Sequence, residues 1–163
     1  MRKEIYRNAL FKITELIGSY LNEDEDVKSL FCLGADEVDH LKNDVFPLAN
    51  IQLQSIDFQN SQITFEITHL DIRDENKNNV EDKFAWNDNR WENWSVSYSV
   101  LLNLLAKLKL IRVDGVEFVS SSDPTIINKD FQTGLDGLVL SVTFWVNPSV
   151  KIWVDPSVKI CEC

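Results

Sequence analysis

The chain has 163 residues, 44% of them hydrophobic and 26% charged, which suffices for one domain with its own core and leaves too little for two. Its 26 acidic against 16 basic side chains give a formal charge of −10, which opposes non-specific binding along a phosphate backbone. An aromatic content of 10% with only five Gly and four Pro excludes a disordered chain.

Arg2, Lys3, Glu4 and Arg7 break the apolar run that a secretory signal needs, and no stretch reaches the roughly 18 apolar residues that span a bilayer. Residence in the cytosol where the chain is made, without a membrane partner, is the expectation. In that reducing compartment Cys32, Cys161 and Cys163 are expected as free thiols.

Ile5, Tyr6, Ala9, Leu10, Ile13, Leu16, Ile17 and Tyr20 recur at three and four residues, which predicts an amphipathic helix over 2–21. The acidic run Asn22 to Asp26 follows as a solvent-facing loop; it lacks the Gly and the spaced final Glu of a calcium loop. Beyond Pro47, Ile51 and Leu53 alternate with Gln52 and Gln54 as in a strand. Turn-forming residues from Asp57 to Gln62 then lead into Ile63, Phe65 and Ile67, alternating with Thr64, Glu66 and Thr68, so the two runs form a hairpin. Past His69 the apolar positions shift parity to Leu70 and Ile72, which predicts a bulge or bend.

The polar stretch from Asp71 to Asn89 reads as a long projecting loop. Phe84, Trp86 and Trp91 at its far end either meet a partner or cap the core. Trp94, Tyr98, Leu101, Leu102, Leu105 and Leu108 predict a second helix over 94–110 with one broad apolar stripe, and Lys107 and Lys109 suit its last turn. Residues 113–119 form a short strand or loop, and Asp123-Pro124 signals a turn. In the last strand Leu138, Leu140, Val142, Phe144 and Val146 point one way and Val139, Ser141, Thr143, Trp145 and Asn147 the other, with Gly134-Leu135-Asp136-Gly137 as a tight turn at its entrance.

The ending repeats itself: residues 145–152, WVNPSVKI, recur as 153–160, WVDPSVKI. Two copies are fewer than the roughly three that a stacked solenoid needs, so the ending reads as an extended arm. Val150, Ile152, Trp153, Val154 and Ile160 make it apolar, and a terminus of that kind docks either on its own sheet or on a neighbouring subunit by strand addition.

Catalytic chemistry has little support. His40 and His69 have no second ligand at metal spacing and read as structural, and Cys161-Glu162-Cys163 supplies half a tetrahedral site. Phosphate loop, nucleophile elbow and zinc-helix motifs are missing, and most carboxylates sit in solvated polar runs. Arg73 and Arg90 are nearly the only cations near the tryptophans, too few for a single-strand binding face. The expectation is a non-enzymatic chain with no catalytic residue, cofactor or metal.

The order of segments carries a resemblance. An opening amphipathic helix, the strand entrance Phe46-Pro47-Leu48-Ala49-Asn50, the strand Gln62 to Ile67 leading to Leu70-Asp71-Ile72-Arg73-Asp74, a polar loop, a Leu-rich helix, and the ending Phe131 to Val146 resemble the tail-terminator and tail-completion proteins of tailed bacteriophages. The versions most similar in pattern are those of phages of Bacteroidetes-type hosts, including the tail ring proteins of crAss-like phages. The likeness covers residues 1–147; the duplicated arm over 148–163 departs from it.

The resemblance implies an α/β (α+β) fold, a mainly antiparallel sheet with an N-terminal and a central helix packed on it, assembled as a homo-oligomeric ring at the head-tail joint or in the tail of the virion. Its partners would be copies of itself and adjacent connector or tail proteins, with DNA only as passing cargo. An acidic channel fits that role, since it repels phosphate. Phe84, Trp86, Trp91, Trp145, Val150, Ile152, Trp153, Val154 and Ile160 are the expected oligomer or partner interface. Asp71, Asp74, Glu75, Glu81 and Asp82 are expected in the loop that reaches an adjacent ring or in the channel. A small cytosolic adaptor or protein-binding module is the alternative.

Overall fold

The computed structural model describes residues 2–38, 41, 45–73, 89–127, 134–150 and 152. Its elements are α1 (Arg2–Asn22), β1 (Ser29–Phe31), α2 (Ala35–Val38), β2 (Leu48–Asp57), β3 (Gln62–Ile72), α3 (Arg90–Leu108), β4 (Val116–Ser121), β5 (Thr125–Ile126) and β6 (Leu135–Val146). The strands form one six-stranded sheet in the order β1-β2-β3-β6-β4, with β5 beside β6. Only β1 with β2 is a parallel pair. The fold is the α+β arrangement expected, a mostly antiparallel sheet with an N-terminal and a central helix.

Two periodicities meet to form the main core. Tyr6, Ala9, Ile13, Ile17 and Leu21 line one side of α1, and Val100, Leu101, Leu104, Leu105 and Leu108 one side of α3. They cover Ile63, Phe65 and Ile67 of β3 and Leu138, Leu140, Val142, Phe144 and Val146 of β6, the alternate residues of two paired strands. The intervening Thr64, Glu66, Ser141, Thr143 and Trp145 lie on the other face and are half-buried, with a 3.0 Å hydroxyl hydrogen bond between Thr64 and Thr143.

The parity change at His69 has a different cause from the bulge expected. β3 and β6 keep an unbroken register from Gln62 opposite Trp145 to Ile72 opposite Leu135. Near that end a second apolar cluster of Val38, Phe46, Leu48, Leu70 and Leu135 covers the opposite face, so inside and outside are both buried there. The irregularity lies instead in β2, between Leu53 and Ser55. Gly134 to Gly137 is likewise not a tight turn: Leu135, Asp136 and Gly137 are strand residues. A Cβ on Gly137 would stand 2.0 Å from the His69 carbonyl oxygen, so glycine is demanded there by a close backbone approach.

Helix α3 begins at Arg90, earlier than the apolar stripe suggests, because its first turn is polar. Tyr98 and Leu102, expected in the core stripe, are exposed instead, and their places are taken by Ser97, Val100 and Leu104. β1 and α2 were too short to leave a periodic signal. Asp71 and Ile72, expected in the polar loop, are strand residues of β3, and residues 74–88 of that stretch lie outside the described residues.

Cys32 is disulfide-bonded, which overturns the free-thiol expectation for it; Cys161 and Cys163 lie outside the described residues. The start of the C-terminal arm packs on its own chain. Asn147 donates its backbone N–H to the Gly115 carbonyl at 2.9 Å and caps a turn by accepting from the Ser149 N–H at 2.9 Å. Ile152 is 3% exposed within the main core, and its carbonyl accepts from Asn8 Nδ2 at 3.2 Å. No helix of the described residues is long and apolar enough to cross a membrane.

Replacing Gly137 with Ala is expected to destabilise the protein by roughly 3 kcal/mol or more, because the obstacle is backbone and β3 cannot retreat without losing its register. Equilibrium urea unfolding measures this; a change within experimental error would contradict the close approach.

Candidate interaction surfaces

At one end of the sheet the chain leaves β3 at Arg73 and re-enters at Asn89, and a buried carboxylate holds both points. Asp136 on β6 accepts from Arg73 Nε at 2.9 Å through Oδ2 and from Arg73 Nη2 through Oδ1, a bidentate pair. Arg90, on the returning side, brings its Nε to 3.8 Å from the same carboxylate, and its guanidinium lies 5.9 Å from the Trp94 ring centroid. Asn89 and Asn93 donate their side-chain amides to the Ile72 carbonyl at 3.1 and 3.0 Å, and the Arg73 N–H reaches the Gly134 carbonyl at 2.8 Å. The stems of segment 74–88 are thus clamped on β3 and β6. From its sequence that segment carries five acidic and two basic residues.

A second buried polar group ties the acidic loop after α1 to the sheet. His69 Nε2 lies 3.0 Å from the Asp26 carbonyl, which can only accept, so Nε2 carries the proton and Nδ1 accepts from the Ser97 hydroxyl at 2.8 Å. Burial holds this imidazole below its ordinary value of 6.5, against the opposing pull of the Asp26 carbonyl and of the Asp71, Asp24 and Asp26 carboxylates. With every ring nitrogen satisfied and the side chain fully buried, His69 is a structural group, as expected.

Among the described residues the sheet leaves two edges open. β1 covers β2 only along Leu48 to Asn50, and among the described residues nothing pairs with the far side of Ile51 to Asp57. Gln52, Leu53, Gln54 and Ser55 are all exposed, and no charged side chain occurs from Ile51 to Ile56. On the opposite margin β4 is the last described strand, with Glu117, Val119 and Ser120 exposed. Each edge carries a register shift, at Leu53/Ser55 and at Phe118/Ser120. Between these edges the open face carries, among the described residues, Glu66 and Glu117 and no basic side chain, while Asp57 is taken up by the hairpin turn. There it accepts from the Gln59 and Asn60 N–H groups and from Asn60 Nδ2, and the Asn60 bonds lower its pKa.

The residues singled out from the sequence are scattered by this geometry. Trp91 stands exposed on the first turn of α3, edge-on to Trp94 at 5.3 Å, and does not cap the core. Trp145 is half-buried on the open sheet face, in register with Gln62 and Glu117. Val150 packs beside Gly115 and Ile152 is buried at home, so neither is a free partner surface as expected. Asp71 sits at the end of β3, where its Oδ1 accepts from the Ile72 N–H at 2.8 Å. Phe84, Trp86, Trp153, Val154, Ile160, Asp74, Glu75, Glu81 and Asp82 lie outside the described residues, as does His40. Sequence reasoning missed Asp136, whose position inside an apolar strand was the available signal, and the two strand edges, which depend on pairing. No protein-family profile matches the chain, and no curated protein aligns with it significantly.

Two outcomes are expected here. Asp136→Asn keeps the shape but leaves Arg73 and Arg90 without their shared anion, and costs about 3 kcal/mol in thermal or urea unfolding. For His69 the folded-state pKa is the lowered one, so the unfolded chain binds the proton more readily. Stability is therefore full above about pH 6.5 and declines as pH falls from there toward the lowered folded value, where the slope ends. Urea midpoints measured between neutrality and mild acid should show this decline, and His69→Gln, less stable throughout, should flatten it.

Proposed function

We propose that the chain is a structural subunit that joins copies of itself edge to edge into a closed ring, in the tail or at the head-tail joint of a tailed phage. The supporting observation is the pair of open edges at opposite margins of one sheet. Three successive antiparallel pairings, β2 with β3, β3 with β6 and β6 with β4, leave β4 antiparallel to β2. Setting β4 of one subunit beside β2 of the next therefore continues the antiparallel alternation across the joint. Such a contact uses two different surfaces and is heterologous, so copies close into a ring when the rotation per subunit divides a full turn.

The phage setting comes from the resemblance in segment order. The open sheet face, whose two exposed-side charges are both acidic, suits a passage through which DNA slides without adhering. Burial of Ile152 in its own core removes exchange of that part of the arm as the joining device and leaves the edges to carry it. Segment 74–88, with Phe84 and Trp86, is the element that would reach a neighbouring connector or tail protein.

Light scattering and negative-stain imaging of the purified chain test this reading, with annular particles of uniform mass expected. A lysine on an edge opposes strand addition, so Leu53→Lys and Val119→Lys should each prevent closure while leaving the fold intact. Mixed together, the two variants should stop at pairs, because each keeps the one edge that the other lacks. A monomer at every concentration, or a stable one-to-one complex with a foreign protein in place of self-association, overturns the ring and selects an adaptor. Absence of the chain from purified virions removes the phage setting.

A further inference from the structure

The outward side of α3 is apolar, and among the described residues no element covers it. Trp91, Tyr98 and Leu102 are 63%, 49% and 38% exposed, and Leu110, in the turn that continues past the helix, is 73% exposed. At about 100° per residue these positions share one side with the exposed small residues Ser95, Ser99 and Ala106 and with Asn103. The exposed charges on that side stand at its two ends, Glu92 in the first turn and Lys109 after the last. Lys107 turns away, bridging to Glu23 at 2.8 Å and lying 5.5 Å from the Tyr20 ring.

We propose that this side docks on the same side of a second copy, the two α3 helices antiparallel about a two-fold axis near Val100 and Leu101. The arrangement is self-complementary in charge. An antiparallel pair centred there sets Glu92 opposite Lys109 twice over, and sets the opposed helix dipoles in their favourable sense. The same register places Trp91 opposite Leu110, Tyr98 opposite Asn103, Leu102 opposite Ser99 and Ser95 opposite Ala106. At the centre of the seam Leu102 thus meets Ser99 and Tyr98 meets the smaller Asn103, which lets the two helices approach there, while Trp91 and Leu110 make an apolar contact at each end. A parallel pairing would bring Glu92 to Glu92 and Lys109 to Lys109.

This contact goes beyond the edge-to-edge ring and does not depend on it. It is isologous, so in a ring-forming chain it would join a subunit of one ring to a subunit of another. One helix pair covers less than the roughly 800 Å² per partner of a standard interface, so the association is expected to be weak and concentration-dependent.

Sedimentation velocity on the full chain and on the Leu53→Lys variant, whose ring edge is blocked, reads the dimer directly. A reversible monomer-dimer equilibrium is expected in both. Ser99→Arg should abolish it. Glu92→Lys and Lys109→Glu should each weaken it by roughly tenfold, since each alters two symmetric ends, and the double variant E92K/K109E should recover it to within about twofold. Circular dichroism checks that α3 persists in every variant. No dimer in the Leu53→Lys variant, a Ser99→Arg variant that dimerises like the parent, or a double variant no better than the singles overturns the proposal. So does a dimer that forms only after segment 74–88 is replaced by a Gly/Ser linker, which would identify Phe84 and Trp86 of the same chain as the occupant.

Discussion

The long antiparallel register between β3 and β6 is the constraint on which the rest of the molecule depends. From Gln62 opposite Trp145 to Ile72 opposite Leu135 it runs without a break, and each residue's side follows from its place in that ladder. Ile63, Phe65 and Ile67 with Leu140, Val142 and Phe144 become the floor on which α1 and α3 rest. Asp136 comes to lie beside Asp71 and within reach of Arg73, and His69 falls under Ser97. A slip of β3 by one residue would bury Glu66 and Thr64 and put Phe65 in water, parting it from Phe144. Gly137 supports the register sterically, since a side chain in its place would run into the His69 carbonyl.

What could be read from the sequence was what depends on one strand or helix at a time. α1 was legible because its apolar residues follow a single period and a single face is buried. The alternation in β3 and β6 was legible for the same reason over most of their length. It failed at Leu70, because a change of parity looks identical whether the strand bulges or a second cluster covers the other face, and only Phe46, Leu48 and Val38 reveal the latter. α3 was placed but its inner and outer sides were confused, since Tyr98 and Leu102 are as apolar as Leu101 and Leu105. An exposed apolar side erases the contrast on which that inference relies.

The candidate surfaces were less legible still, and for a physical reason. An open strand edge is a property of pairing, so nothing in Gln52-Leu53-Gln54-Ser55 distinguishes an edge from a central strand until its neighbours are known. The aromatic arm attracted attention through its composition, yet Ile152 is spoken for by Asn8 and the core, so apolarity at a terminus did not mean availability. Asp136 was hidden in the opposite way, as one carboxylate among 26 acidic residues, and only its 4% side-chain exposure beside two arginines marks it out.

The paired stems at Arg73 and Asn89 carry a consequence for how such a chain can diversify. Among the described residues their anchoring uses Asp136, the Ile72 and Gly134 carbonyls and the first turn of α3. A peptide spliced between them meets the same mount, so natural variation or a grafted epitope at that end would leave these contacts of the scaffold in place.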